Sequence, residues 1–314
     1  MAVGTPDWRA SELESPTGAT LRLYSMMPPG RPKALIQINH GMAEHAARYE
    51  RFARFLASFG YASFAHDHRG HGATRAPDAP LGVFASRDGW SRVIDDVAAV
   101  NTHLHESHPG IPVVCFGHSM GAVIAMNYVL RHAATVDAAA IWNSAFDDNM
   151  LAATGTFLLK TERMFKGSDV TSTLAPKLTF DAWNSKFKPN RTRSDWLSRD
   201  EAEVDKYVAD PLCGFDVSIG LWLDVISGVQ YAAKRGNIAA LPRALPFHML
   251  GGKADPCSDH GQSIARLAAK LLDAGIEDVS IDLLDDTRHE CLNDLDRDKV
   301  MANFVHWLDD RFAA

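Results

Sequence analysis

One stretch limits the possible folds more than any other: Ile111-Pro-Val-Val-Cys-Phe-Gly-His-Ser-Met-Gly-Ala-Val-Ile-Ala-Met126. Val113 to Phe116 is a short apolar run that reads as a buried strand, and apolar residues at helical spacing continue to about His132. Gly117-His118-Ser119-Met120-Gly121 sits between them. Strand, sharp turn and helix, with a serine at the apex, is the context a nucleophile elbow needs. The glycines have a steric reason, because a Cβ at 117 or 121 would strike the neighbouring strand or helix. The turn pushes Ser119 into the open at a helix N-terminus, which favours developing negative charge. A Gly-x-Ser-x-Gly pattern arises by chance in roughly one 300-residue chain in ten; the flanking strand and helix make chance a poor explanation here.

The chain around this stretch alternates strand and helix. Residues 10–26 alternate in polarity about Ser15-Pro16-Thr17-Gly18, a hairpin signal for one sheet edge. Ala34–Asn39 is the first candidate central strand, and it runs into His40-Gly41-Met42-Ala43-Glu44-His45. A helix carrying Tyr49, Phe52 and Leu56 follows, then a strand at Tyr61–Ala65 ending in His66-Asp67-His68-Arg69-Gly70-His71-Gly72. A second helix presents Trp90, Val93, Val97, Val100 and Leu104 on one face, before the serine strand. Ala138–Trp142 is the next buried strand. This rhythm argues an α/β fold, a mostly parallel central sheet with helices on both faces.

From about Phe146 to Leu241 the rhythm breaks into helical patterns without a convincing strand. Ser198-Arg199-Asp200-Glu201 reads as a capping box for one of these helices. Leu221, Trp222, Val225, Ile226 and Val229 mark another. Strands resume at Pro246–Leu250 and Val279–Leu284, with Asp294 or Asp296 available to cap a terminal helix. The expected organisation is therefore a core in two parts, residues 1–145 and 243–314, with a helical cap insertion at 146–242.

Chemistry in an open α/β sheet sits in loops beyond the carboxyl ends of the strands. Ser119 follows one strand, Asp255 another and His289 the last. A serine hydroxyl needs a base to take its proton as it attacks. Histidine can do this and then return the proton to the leaving group, while an aspartate on the far ring nitrogen fixes the tautomer. His289 is preferred among 14 histidines for its place after a strand. Asp259, Asp285 and Asp286 compete with Asp255. The tetrahedral intermediate needs two donors, and the backbone N–H groups of Met120 and Met42 are the natural pair.

His40–His45, His66–Gly72, Gly117–Gly121 and Thr287-Arg288-His289-Glu290 together resemble the monoacylglycerol lipase and lysophospholipase branch of the α/β hydrolases. Residues 190–200 and 210–214 are similar to the cap region of that branch. The order Ser, Asp, His is also that of α/β hydrolases. The resemblance covers nearly the whole chain. It implies hydrolysis of carboxylic esters of small lipids, without a cofactor, with Ser119, Asp255 and His289 as a catalytic triad and Met42 and Met120 as oxyanion hole. Monoacylglycerol is the favoured substrate; a lysophospholipase, a broad esterase and a non-catalytic binding module on the same fold are the alternatives. Proline aminopeptidases of related sequence usually carry Trp after the nucleophile, where this chain has Met120, which ranks peptide cleavage low.

The remaining features set expectations of a weaker kind. The net charge of −7 suggests no polyanion partner such as a nucleic acid. No secretory leader is visible in residues 1–10, and no apolar run reaches the length of a membrane span. Cys115, Cys213, Cys257 and Cys291 are scattered and read as free thiols of a reducing compartment, so a cytoplasmic location is expected. Cys257 and Cys291, each two residues past a triad member, raise inhibition by thiol reagents against a default of inert burial. His66-x-His68-x-x-His71 invites a metal, but Gly70 stands where binuclear zinc hydrolases place an aspartate, and no metal is expected. His40 and His45 are expected to hold the oxyanion loop in shape. Met150, Leu151, Phe157, Leu158, Leu159, Met164 and Phe165 either form the cap's own core or serve lipid, as an acyl tunnel or a transient membrane contact.

Overall fold

The computed structural model describes residues 7–146 and 150–313, without the side chains of Met150, Leu151 and Ala152. The opening hairpin is β1 (Arg9–Glu14) and β2 (Thr20–Met26). Then come β3 (Leu35–Asn39), α1 (Glu50–Ser58), β4 (Ala62–His66), α2 (Gly89–Ser107), β5 (Val113–His118), α3 (Met120–His132) and β6 (Ala138–Trp142). Six helices follow: α4 (Met150–Lys166), α5 (Ala175–Leu178), α6 (Phe180–Asn184), α7 (Glu201–Ala209), α8 (Ile219–Ala233) and α9 (Arg235–Ile238). The chain ends with β7 (Phe247–Gly252), α10 (Gln262–Asp273), β8 (Val279–Leu284) and α11 (Arg297–Phe312).

The eight strands form one sheet in the order β1-β2-β4-β3-β5-β6-β7-β8. The hairpin pairs antiparallel within itself and against β4. All other neighbours are parallel. Every residue of β3, β4, β5, β6 and β7 is buried, as a sheet covered on both faces requires. Side chains of β5 alternate between the two covers. Val114 and Phe116 face α1 and α11, in an aromatic cluster where Phe116 lies 5.3 Å from Phe52, 4.8 Å from Trp142 and 5.9 Å from Phe304. Cys115 faces the layer of α2, α3, α8 and α10.

This topology fixes where a site can form. From β3 the chain passes through α1 to β4 on one side, and from β5 through α3 to β6 on the other. The carboxyl ends of β3 and β5 are therefore neighbours whose connections diverge, with Asn39 paired to Gly117. Such a divergence opens the crevice in which ligands bind.

The segment between β6 and β7 holds helices and, among the described residues, no strand beyond an isolated bridge between Thr171 and Ser218. α8 is packed into the sheet-covering layer. Gly228 lies against the Trp90 ring of α2 so closely that a Cβ would come within 2.1 Å, and Asn127 of α3 donates to the Gly228 carbonyl. The expected capping box at 198–201 is corrected. Asp200 is the N-cap of α7 and accepts from the Ala202 N–H, while Ser198 donates to the Asn293 carbonyl. The helix simply starts two residues later, where an aspartate is as good a cap as serine. Neither Asp294 nor Asp296 caps α11 with its side chain. Asp294 is buried and bonds Arg288 and Arg199, and Asp296 also takes Arg199.

Candidate active site

Ser119 is the residue between β5 and α3, with φ of +56°. A non-glycine residue is rarely held there, and such strain survives only where the surroundings enforce it. Two features enforce it. Ser119 N–H donates to the Trp142 carbonyl of β6 at 3.0 Å, and its own carbonyl accepts from Ala122 in the first turn of α3. The flanking glycines allow the crossing. A Cβ on Gly117 would lie 2.1 Å from the Gly121 carbonyl oxygen, and one on Gly121 would lie 2.0 Å from that of Asn39. Neither glycine has a positive φ, so the need is for space, as the sequence argues.

The structure brings Ser119, His289 and Asp255 together. His289 Nε2 lies 2.9 Å from Ser119 Oγ, and His289 Nδ1 lies 3.1 Å from Asp255 Oδ2. Asp255 is fully buried. Burial raises its carboxyl pKa, but the His289 ring, Ser258 and the Cys257 N–H outweigh that and hold it below the usual carboxylate range. The competing aspartates are elsewhere. Asp285 and Asp286 are exposed, with Asp285 paired to Lys253, and Asp259 pairs with Arg266. Met42 lines the cleft above Ser119. Met120 opens α3, so its N–H is outside the intrahelical ladder.

A buried charge network, missed by the sequence reading, holds these loops in register. Glu44 accepts from the Gly41 N–H at 2.5 Å and from the Tyr49 hydroxyl at 3.0 Å, and pairs with Arg48. Arg48 bonds both oxygens of Glu290 at 2.7 Å. His118 Nε2 lies 2.9 Å from the His289 carbonyl, and its Nδ1 lies 3.8 Å from Glu44. Burial alone would raise the Glu44 pKa, but Arg48 and His118 hold it well below the usual range. Burial alone would lower that of His118, but Glu44 raises it above the ordinary imidazole value. The signal was present, since Glu44, His118 and Glu290 sit inside the motifs quoted above, but nothing in those motifs shows that the three converge.

The histidines of the stretches 40–45 and 66–71 lie close together. His40 contacts the Gly41 carbonyl through Nδ1 and receives the His68 N–H on Nε2, and His45 Nε2 lies 2.9 Å from Asp210. Both thus brace the loop at 40–45. The Ala43 carbonyl is further held by the Gly214 N–H and the Tyr207 hydroxyl. His66 and His68 are buried ring against ring, His68 and His71 each lie against the His40 ring, and burial lowers His66 and His71 to about 4. Among the described residues, ligand atoms come within 4.8 Å of each other in threes at His45, Asp210 and Cys213, and at Asp255, Cys257 and His289. The His66–His71 run forms no such group. Cys257 and Cys291 have thiols pushed well above the ordinary value by burial, which disfavours the reactive thiolate.

A cleft of about 470 Å³ opens onto Ser119 and His289. Its lining mixes apolar side chains, Phe180, Trp196, Leu197 and Phe215 among them, with polar and charged ones that include Glu44, Arg191, Arg193 and Glu290. Among the described residues no helix is long and apolar enough to cross a membrane.

A family model described as "Hydrolase_4: Serine aminopeptidase, S33" matches residues 30–296. Human monoglyceride lipase is 30% identical over 249 residues, 78% of this chain and 73% of the relative. Monoacylglycerol lipase of Mycolicibacterium smegmatis is 25% identical over 293 residues, 93% of this chain and 94% of the relative. Among solved structures, a carboxyl esterase from Bacillus coagulans aligns with a TM-score of 0.87 at 22% identity, over 96% of this chain and 98% of that one. A monoglyceride lipase variant from Saccharomyces cerevisiae aligns at 0.73 and 18%, over 98% and 96%. At such identities these two speak for the fold, and it is the α/β-hydrolase fold. With its family match spanning most of the sequence, the chain belongs to the Hydrolase_4 family of serine hydrolases, in the monoacylglycerol lipase branch of the α/β hydrolases.

Proposed function

We propose that this protein hydrolyses carboxylic esters of small lipids, a monoacylglycerol before others, through an acyl-Ser119 intermediate. His289 Nε2 takes the Ser119 proton as Oγ attacks the ester carbonyl. The carbonyl oxygen becomes an oxyanion facing the N–H groups of Met42 and Met120. As the tetrahedral intermediate collapses, His289 gives its proton to the departing glycerol oxygen. A water repeats the sequence on the acyl-enzyme and releases the fatty acid. Asp255 holds the ring and balances its charge. The observation that carries this reading is the unbroken relay Ser119–His289–Asp255, at 2.9 and 3.1 Å, on the floor of a cleft.

Apolar side chains in the cleft lining, Phe180, Trp196, Leu197 and Phe215, suit an acyl chain. The names of the sequence relatives support the same substrate. The family model's description mentions an aminopeptidase, and Met120 again argues against that activity here. The reading extends to a lipid surface. Phe157, Met164 and Phe165 of α4 are 70%, 84% and 85% exposed, an apolar face that a membrane-borne substrate would cover. The four free cysteines support a reducing compartment, and so a cytoplasmic location.

The test compares a monoacylglycerol with a lysophosphatidylcholine of equal chain length, using Ser119→Ala as blank. A strong preference for the monoacylglycerol is expected. Equal rates, or preference for the phospholipid, would overturn the substrate and leave the serine mechanism. No turnover of any ester, with no labelling by a serine-directed probe, would leave a binding module.

A further inference from the structure

We propose that Trp196, a residue of the segment between β6 and β7, is a positioning residue for the base: its indole is a fixed wall over the His289 ring and stabilises the imidazolium formed during turnover. The proposal rests on His289 acting as the base. The two ring centroids lie 4.7 Å apart, tilted by 37°. Trp196 is 6% exposed, yet it lines the cleft. Phe180 stacks behind it at 5.7 Å and 19°, and Trp183 packs at 4.9 Å.

What fixes Trp196 is a double clasp between its neighbours and those of His289. Arg288, just before His289, donates to the carbonyls of Asp195 and Ser198 at 2.5 and 2.9 Å. Glu290, just after it, donates its N–H to the Leu197 carbonyl at 2.7 Å. Ser198 Oγ donates to the Asn293 carbonyl at 2.9 Å, and Arg199 pairs with the buried Asp294 at 2.7 Å. The Trp196 N–H is taken by Asn184 Oδ1 at 3.0 Å. Residues 195–199 and 288–294 therefore form one body. Trp196 cannot leave His289 unless this clasp breaks.

The chemistry gives the contact a purpose. When His289 holds the Ser119 proton, the ring is a cation in a residue that is only 2% exposed. Asp255 meets it through Nδ1 and Ser119 through Nε2, His118 approaches from β5 with centroids 4.9 Å apart, and Trp196 comes from the opposite segment. Indole is the best of the aromatic side chains at stabilising a cation within about 6 Å of its face, and most so when desolvated. The same indole keeps water from competing for the ring's protons. Only kcat feels this, because the cation exists in the transition states and not in the resting site.

The test measures kcat and KM on the full chain with a monoacylglycerol. The variants are Trp196→Phe, Trp196→Leu, and tryptophan bearing one to four ring fluorines placed at position 196. Fluorine withdraws charge from the face while nearly preserving shape. Trp196→Leu is expected to lower kcat by about two- to thirtyfold, and Trp196→Phe by less. Log kcat is expected to fall stepwise with each fluorine while the unfolding midpoint stays constant. A kcat that stays flat across the fluorine series overturns the proposal, whatever the leucine variant does, since the indole would then serve packing alone. His289→Ala separates the two claims: if that variant keeps its activity, the reading of His289 as base has failed, independently of Trp196.

Discussion

At the scale of single residues, Ser119 and His289 should behave as a unit. Ser119→Ala and His289→Ala are each expected to lower kcat by about four to six orders of magnitude, and the double variant by no more than either. Steady-state kinetics with matched circular dichroism spectra checks this. Gly121→Ala should fail differently, because its methyl would meet backbone 2.0 Å away; a cost of roughly 3 kcal/mol or more is expected as a lower denaturant midpoint. Ser119, Asp255 and His289, which the structure brings together, were legible because each lies beyond the carboxyl end of a strand, and strand ends converge in this topology. The Glu44–Arg48–Glu290–His118 network was not legible. Arg48 and Glu290 lie 242 positions apart, and sequence pattern does not show that charges so distant share one buried site. The network also has a definite pH sense. Glu44 is depressed, so its contribution is complete above about pH 4.5 and is lost as pH falls through its lowered pKa. His118 is raised, so its contribution is complete below about pH 6.5 and is lost as pH rises through its raised pKa. The stability gap between the wild type and His118→Asn, followed by urea unfolding, should therefore narrow on the alkaline side.

At the scale of elements, strands and core helices were readable from periodicity alone, down to the edge hairpin. α8 shows what periodicity withholds. Its apolar stripe is plain in the sequence, but a stripe does not say what it packs on, and here that is α2 and α3. The start of α7 was misplaced because Ser198 and Asp200 are both good caps and only the three-dimensional position of the Asn293 carbonyl decides between them. Asp200→Ala should cost about 1 kcal/mol from the cap alone, plus its ion pair with Arg297, as read from thermal unfolding. The exposed face of α4 carries a separate prediction. Phe157→Ser combined with Phe165→Ser should weaken sedimentation with phospholipid vesicles while leaving hydrolysis of a short, soluble ester unchanged. Equal sedimentation of both proteins would mean that face serves another purpose. The expectation for Met150 and Leu151 concerns side chains outside the described residues.

At the scale of the whole molecule, the fold gathers buried neutral histidines beside its site. His66 and His71 are lowered to about 4 by burial. The unfolded chain binds their protons below about pH 6.5 and the folded chain does not, so stability falls as pH drops from 6.5 towards 4, on the order of 1 kcal/mol per pH unit for each. Urea midpoints across that range should show this slope, and His71→Gln should flatten it in part. The proposed function comes down, at this scale, to one covalent event. The most direct measurement is the intact mass of the protein during turnover of a slowly deacylating ester, followed by peptide mapping. A mass increase equal to one acyl group, located on Ser119 and missing in Ser119→Ala, is expected. Ester turnover with no adduct on Ser119, or turnover that survives Ser119→Ala, would contradict the account.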